Sequence, residues 1–88
     1  MKYIFEFDSN KSESNKQKHG IDFIEAQLLW EDPDRIEVPA KTETEKRFVL
    51  TGKIKKTHWS AVFTMRKDIT RIISVRRARK QEVNEYES

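Results

Sequence analysis

The sequence has no cysteine, which excludes disulfide staples and thiolate metal sites. Its only histidines, His19 and His58, have no metal-ligand spacing around them, so no structural zinc, metal or other cofactor is expected. No apolar run approaches the length of a membrane span. The N-terminal YIFEF reads as a strand and lacks the apolar run and small-residue cleavage site of a secretory signal. A soluble, cytoplasmic protein without membrane attachment is expected. Signatures for metal hydrolysis, nucleotide binding and Ser/Cys nucleophilic catalysis are also missing. Any chemistry is left to general acid–base catalysis and electrostatic stabilisation. Repeats, linkers and low-complexity tracts are absent too.

What remains is a short, charged chain. Its 88 residues allow one domain, 1–88, with a modest stability margin. A charged share of 38% against an apolar share of 35% puts it at the polar end of globular proteins. A partner covering part of its surface would therefore help it. The charge is segregated. Residues 66–80 hold seven bases (Arg66, Lys67, Arg71, Arg76, Arg77, Arg79, Lys80) against Asp68 alone. Residues 31–46 hold six acids against three bases, and the tail adds Glu82, Glu85 and Glu87. A basic face on a mixed surface suits a polyanionic partner, or a solvated strand edge.

Local patterns predict the order of elements. Lys2–Phe7 reads as a strand with Tyr3, Phe5 and Phe7 on one face. Asp8 or Ser9 caps a helix running to about His19, which Gly20 ends in the left-handed conformation. That helix, SNKSESNKQKH, has no apolar stripe, so some of its polar residues must be used to hold it. Asp22 and Glu25 form a capping box for a second helix, with Ile21 and Ala26 as its staple and Pro33 as its end. Strands are predicted at Arg35–Val38, Arg47–Thr51, His58–Arg66 and Thr70–Arg76, with turns at Gly52–Thr57 and Lys67–Asp68. Two successive hairpins give an antiparallel meander. A short helix over about Arg79–Tyr86 closes the chain, placing Val83 and Tyr86 together. The fold expected is α+β, in β-α-α-β-β-β order. Two N-terminal helices pack on one face of an antiparallel sheet of four or five strands.

The strand RIISVRRAR is the most informative segment. Strict alternation puts Arg71, Ile73, Val75 and Arg77 on one face and Ile72, Ser74 and Arg76 on the other. Such arginines deter edge aggregation, or they bind phosphate through planar, permanently charged forks. Hairpin geometry brings Arg47 and Arg66 together and places Arg71 at the same end of the sheet, if the register holds. Lys18 and His19 sit at the end of the first helix, where the helix dipole favours cations. His19 can also exchange a proton near neutrality, and Asn15 can share its helix face. His58, Tyr86 and Glu45 are further titratable candidates. Trp59 and Phe63 can stack bases, but their alternation assigns them to the core.

Several segments occur in collinear order: FEFDSNK, KHG-x-x-F-x-E-A (Lys18, His19, Gly20, Phe23, Glu25, Ala26), a strand opening at Arg47, RIIS-x-R-x-A (Arg71 to Ser74, Arg76, Ala78), then Glu82 and Tyr86. In these the chain resembles the BrnT toxin family over nearly its whole length. Phe7 stands where many members have Trp, Val75 replaces a commoner Ala, and the Arg66–Arg71 turn is short. The resemblance implies a RelE-like fold and a ribonuclease toxin that arrests growth. It implies a BrnA-like antitoxin carrying a ribbon-helix-helix DNA-binding domain. Operator DNA is then met only through the antitoxin, in an autorepressing complex expected to be a heterotetramer. The reaction implied is metal-independent transesterification of RNA. On this reading Arg47, Arg66, Arg71 and Arg76 hold phosphate, Lys18 and His19 handle protons, and Lys67, Arg77, Arg79 and Lys80 contact RNA. A non-catalytic RNA- or protein-binding module using the same basic face is the alternative.

Overall fold

The computed structural model describes residues 3–41 and 44–88. Strand β1 is Ile4–Glu6, helix α1 is Ser9–His19, and a 3₁₀ helix covers Glu25–Glu31. Strands β2 (Ile36–Ala40), β3 (Arg47–Ile54), β4 (Thr57–Arg66) and β5 (Ile69–Arg77) follow, then helix α2 (Lys80–Glu87). Lys2, expected to open the first strand, lies outside the described residues. The sheet order is β1-β5-β4-β3-β2. Strands β2 to β5 form the expected antiparallel meander, but β1 pairs with β5 in parallel, so the five-stranded sheet is mixed. A purely antiparallel sheet was the wrong expectation. The chain joins β1 to β2 through α1 and the 3₁₀ helix, so no hairpin sets the direction of β1 against β5.

The second helix also differs from expectation. Its capping box forms: Glu25 N–H donates to Asp22 Oδ1 and Asp22 N–H to Glu25 Oε1. The segment that follows is a 3₁₀ helix rather than an α-helix, so the chain has one N-terminal α-helix and not two. Phe23, Ala26 and Leu29 are buried at a spacing of three, whereas Ile24 and Leu28 are exposed. Within the 3₁₀ helix, three residues per turn stack Ala26 and Leu29 on the buried side, and Phe23 precedes them in the turn before the helix.

We call the face under the 3₁₀ helix the inner face. There Phe23, Ala26, Leu29 and Trp30 pack with Leu50, Ala61, Phe63, Ile72 and Val75. Trp59 is half-buried against this core, and Met65 at the strand end is exposed. Gly52 was expected in a turn but lies within β3, which runs on to Ile54. A Cβ at Gly52 would meet Leu29 and Asp32, so the glycine lets the 3₁₀ helix close onto the strand. The hairpin turn falls instead at Lys55–Lys56, with Lys55 at positive φ; Lys67 does the same in the next hairpin.

A β-bulge decides which β5 residues share a face. Val62 pairs with Ser74 but Phe63 pairs with Ile72, leaving Ile73 extra. Ile72 and Val75 therefore both join the inner face. Arg71, opposite Thr64, moves to the outer face with Ser74 and Arg76. The strict alternation expected for this strand is broken at Ile73. The outer face also carries α2, so the helices do not all lie on one side. Ser60 Oγ on that face donates to Glu82 of α2 at 3.0 Å. At the other end of α2 the Tyr86 hydroxyl donates to Asp32 Oδ2 at 2.7 Å, and His58 meets Glu87 at 2.6 Å.

Candidate functional site

The outer face is ordered in rows across the strands. Ile36, Thr51, Ser60 and Arg76 form one row. Val38, Val49, Val62 and Ser74 form the next. Thr64, Arg71 and Glu6 follow, with Arg47 beside Thr64: the Thr64 hydroxyl donates to the carbonyl of Lys46 at 2.7 Å. The Arg76 row and the Arg71 row stand four residues apart along β4, roughly 13 Å. The strip between them is shallow and largely apolar. Beside it, Val38, Val49, Arg79, Gln81, Glu82 and Glu85 line a groove along α2.

Each arginine in the rows has an acidic neighbour. Glu45 lies 3.6 Å from Arg47 and 4.0 Å from Arg66, so these two converge as hairpin geometry predicts. Arg71 donates to Glu6 at 3.1 Å. Arg76 makes the strongest pairing, a two-pronged contact with Glu82 at 2.7 and 2.9 Å. The Arg76 guanidinium beside Glu82 holds that carboxyl down at about 2, against burial, with help from the Arg79 N–H and the Ser60 hydroxyl. In return Glu82 raises the pKa of Arg76. The charge of this pair is fixed throughout the physiological range.

Lys18 and His19 end α1 at the β5 edge and line a cavity of about 200 Å³ with Asn15, Ile73 and Ser74. Ser74 shares the outer face with Arg76, while Phe23 of the inner core also lines the cavity. The remaining expected RNA contacts scatter. Lys67 is exposed at the β4–β5 turn, and Arg79 and Lys80 are exposed at the start of α2. Arg77 lies over the Trp59 ring at 5.4 Å, on the inner side of the sheet and away from Arg76.

Composition and spacing did not single out Glu82, Ser60 or Thr51. Glu82 stood out in the sequence only as part of an acidic tail and of a family pattern. Its position three residues after Arg79, where its carboxylate accepts the Arg79 N–H at 2.8 Å, is a helix-start signal that marks it. His58 and Tyr86 pack edge-to-face at 5.2 Å and anchor the end of α2. Asp32 holds the Tyr86 hydroxyl in its protonated form, aided by burial. For Asp32, burial works upward, but hydrogen bonds from Tyr86, Asp34 and Lys53 outweigh it and leave the pKa lowered. Among the described residues, no three His, Asp or Glu side chains group as metal ligands. No helix there is long and apolar enough to cross a membrane.

A family model described as the ribonuclease toxin, BrnT, of a type II toxin–antitoxin system matches residues 7–82. The match begins just after β1, runs to the start of α2 and includes every arginine of the outer face. No curated protein matches the chain at a significant level.

Proposed function

The chain belongs to the BrnT family of type II toxin–antitoxin ribonuclease toxins, and from that premise we propose that its outer sheet face is the RNA-cleaving centre. The observation that carries this reading is the bulge at Ile73, which brings Arg71 onto the face that already holds Arg76. Arg47 and Arg66 meet at Glu45 on the neighbouring strands. RNA phosphates spaced along this face would find planar forks at both ends of the valine strip.

The reaction is metal-independent transesterification. The ribose 2′-oxygen attacks the adjacent phosphorus and loses its proton, and the 5′-oxygen leaves and gains one. The products are a 2′,3′-cyclic phosphate and a 5′-hydroxyl. Arg47, Arg66, Arg71 and Arg76 stabilise the charge gathering on the phosphorane. Lys18 and His19, at the cavity beside Ser74, exchange the two protons. Lys67, Arg79 and Lys80 steer the flanking RNA. Arg77, committed to Trp59, is left out of the site.

Type II membership implies an antitoxin. We propose a BrnA-like protein with a ribbon-helix-helix domain, which joins this chain in a cytoplasmic heterotetramer and represses their shared operator. The decisive experiment induces the chain with and without that partner, then incubates purified chain with RNA in excess chelator. Growth arrest relieved by the partner, and fragments ending in 2′,3′-cyclic phosphate, are expected. RNA binding without cleavage would favour a non-catalytic module. Activity lost in chelator and restored by magnesium would overturn the metal-independent mechanism.

A further inference from the structure

Two hydroxyls lie buried on the outer face beneath α2: Thr51, 3% exposed, and Ser60, fully buried. Apolar side chains of similar size would pack there without needing partners. The hydroxyls form a directed chain instead. Ser60 gives its single proton to Glu82 Oε1 at 3.0 Å. Thr51 must then be the donor across the 2.8 Å contact between Thr51 and Ser60. The chain ends in the paired bonds from Arg76 to Glu82.

The bonding of Arg76 is one-sided. Nη1 donates to Glu82 and to the carbonyl of Arg77, and Nη2 donates to Glu82. Among the described residues no bond uses Nε–H, so the Nε–Nη2 edge keeps a fork that fits a second planar acceptor. Glu82 grips one edge of the guanidinium and leaves the other for a ligand. A long arginine held in this way loses less freedom when it meets a phosphate.

We propose that Glu82, oriented by Ser60 and Thr51, is a positioning residue that presents the Nε edge of Arg76 to the RNA phosphate. The inference rests on the reading of Arg76 as a phosphate ligand. Glu82 touches no reacting atom and acts only through Arg76.

The test is a double-mutant cycle on the full chain, with RNA cleavage as the readout. Glutamine can still accept the Arg79 N–H at this helix position, so Glu82→Gln leaves α2 in place. Its kcat is expected to fall about tenfold to a hundredfold, the scale of a misplaced catalytic group, while KM changes far less. In an Arg76→Ala background Glu82→Gln should cost nothing further. Ser60→Ala, which removes one support, should give a smaller loss in the same direction. A second readout needs no cleavage: the Arg76 Nη–H signals in NMR, which Glu82 bonds, should be protected in the parent chain and exchange faster in Glu82→Gln. An unchanged kcat or unchanged Nη–H exchange in Glu82→Gln overturns the proposal. A further drop in the Arg76→Ala background overturns it too, because Glu82 then acts by itself. Full activity of Arg76→Ala is a different failure, which removes the phosphate-ligand reading underneath.

Discussion

Asn15 of α1 bonds both backbone groups of Val75 in β5: its Nδ2 donates to the Val75 carbonyl at 2.9 Å, and its Oδ1 accepts the Val75 N–H at 3.2 Å. Strand β1 pairs with β5 only as far as Arg71, so beyond the bulge the edge of β5 has no strand beside it. The Asn15 amide takes that strand's place. It also donates to the carbonyl of Ile21, while the Ser12 hydroxyl accepts the N–H of Phe23. These bonds are how a helix without an apolar stripe stays attached to the sheet.

Asn15→Ala strands three backbone groups at once. We expect a loss of about 2–4 kcal/mol, since each unsatisfied buried group costs about 1–3 kcal/mol and water recovers part of it at the sheet edge. Urea unfolding followed by circular dichroism measures the loss. An unchanged midpoint would mean that α1 is held by something else.

Arg76 and Arg77 are adjacent in sequence but lie on opposite faces, so they separate function from fold. Arg76→Ala and Arg47→Ala should abolish toxicity, with cleavage reduced about a hundredfold to a thousandfold, while folding and antitoxin binding persist. Arg76→Lys should recover little, because a point charge does not replace a fork. Arg77→Ala should keep activity and lose only its contact with Trp59, about 0.5–1 kcal/mol. Growth arrest on induction, paired with antitoxin pull-down, reads both outcomes. Equal effects at the two positions would make the basic face simple surface charge.

Gly52→Ala places a Cβ 3.3 Å from the Leu29 side chain and 3.4 Å from both the Leu29 carbonyl and the Asp32 carboxylate. The backbone oxygen cannot step aside, and Asp32 is already committed to Tyr86 and Lys53. Overpacking of this kind costs about 1–3 kcal/mol, more than the entropy gained by removing a glycine. A thermal melt of the variant should move down; an upward shift would show that the 3₁₀ helix can retreat freely.

Glu82 links stability to acid. Its folded pKa of about 2 lies below the ordinary value of 4.5. The unfolded chain therefore takes up its proton first as pH falls. The carboxylate's contribution, at most about 3 kcal/mol, is complete above the ordinary value and is lost on the way down to about pH 2. The stability gap between the parent chain and Glu82→Gln should therefore be widest near neutrality and close across that window. A gap that stays constant with pH would show that the Arg76–Glu82 pair contributes no charge-dependent stability.

Much of the frame was legible locally. Asp8 caps α1, with its carboxylate accepting from Asn10 and Lys11, and Gly20 ends the helix at φ 84°, as the letters around that helix suggest. The alternation of His58–Arg66 gave β4 almost to the residue, and the length of the hairpin brought Arg47 and Arg66 together. The second helix failed because two periods compete there. Phe23, Ala26 and Leu29 satisfy a spacing of three, while the broader apolar pattern including Ile24 and Leu28 suits an α-helix. Packing against the sheet, which buries the first set and leaves Ile24 and Leu28 exposed, selects between the two.

By itself the sequence determined where most elements lie and the caps of α1, because each depends on residues within a few positions of one another, and it also carried the charge segregation and the family pattern. Tertiary structure alone decided the bulge at Ile73, the parallel pairing of β1, the grip of Asn15 on Val75 and that of Glu82 on Arg76. Each of these joins groups that no local rule pairs. A one-residue shift between strands reverses which side chains share a face. It is this shift, fixed by packing Ile72 and Val75 into the same core, that gathers Arg71 and Arg76 on one surface.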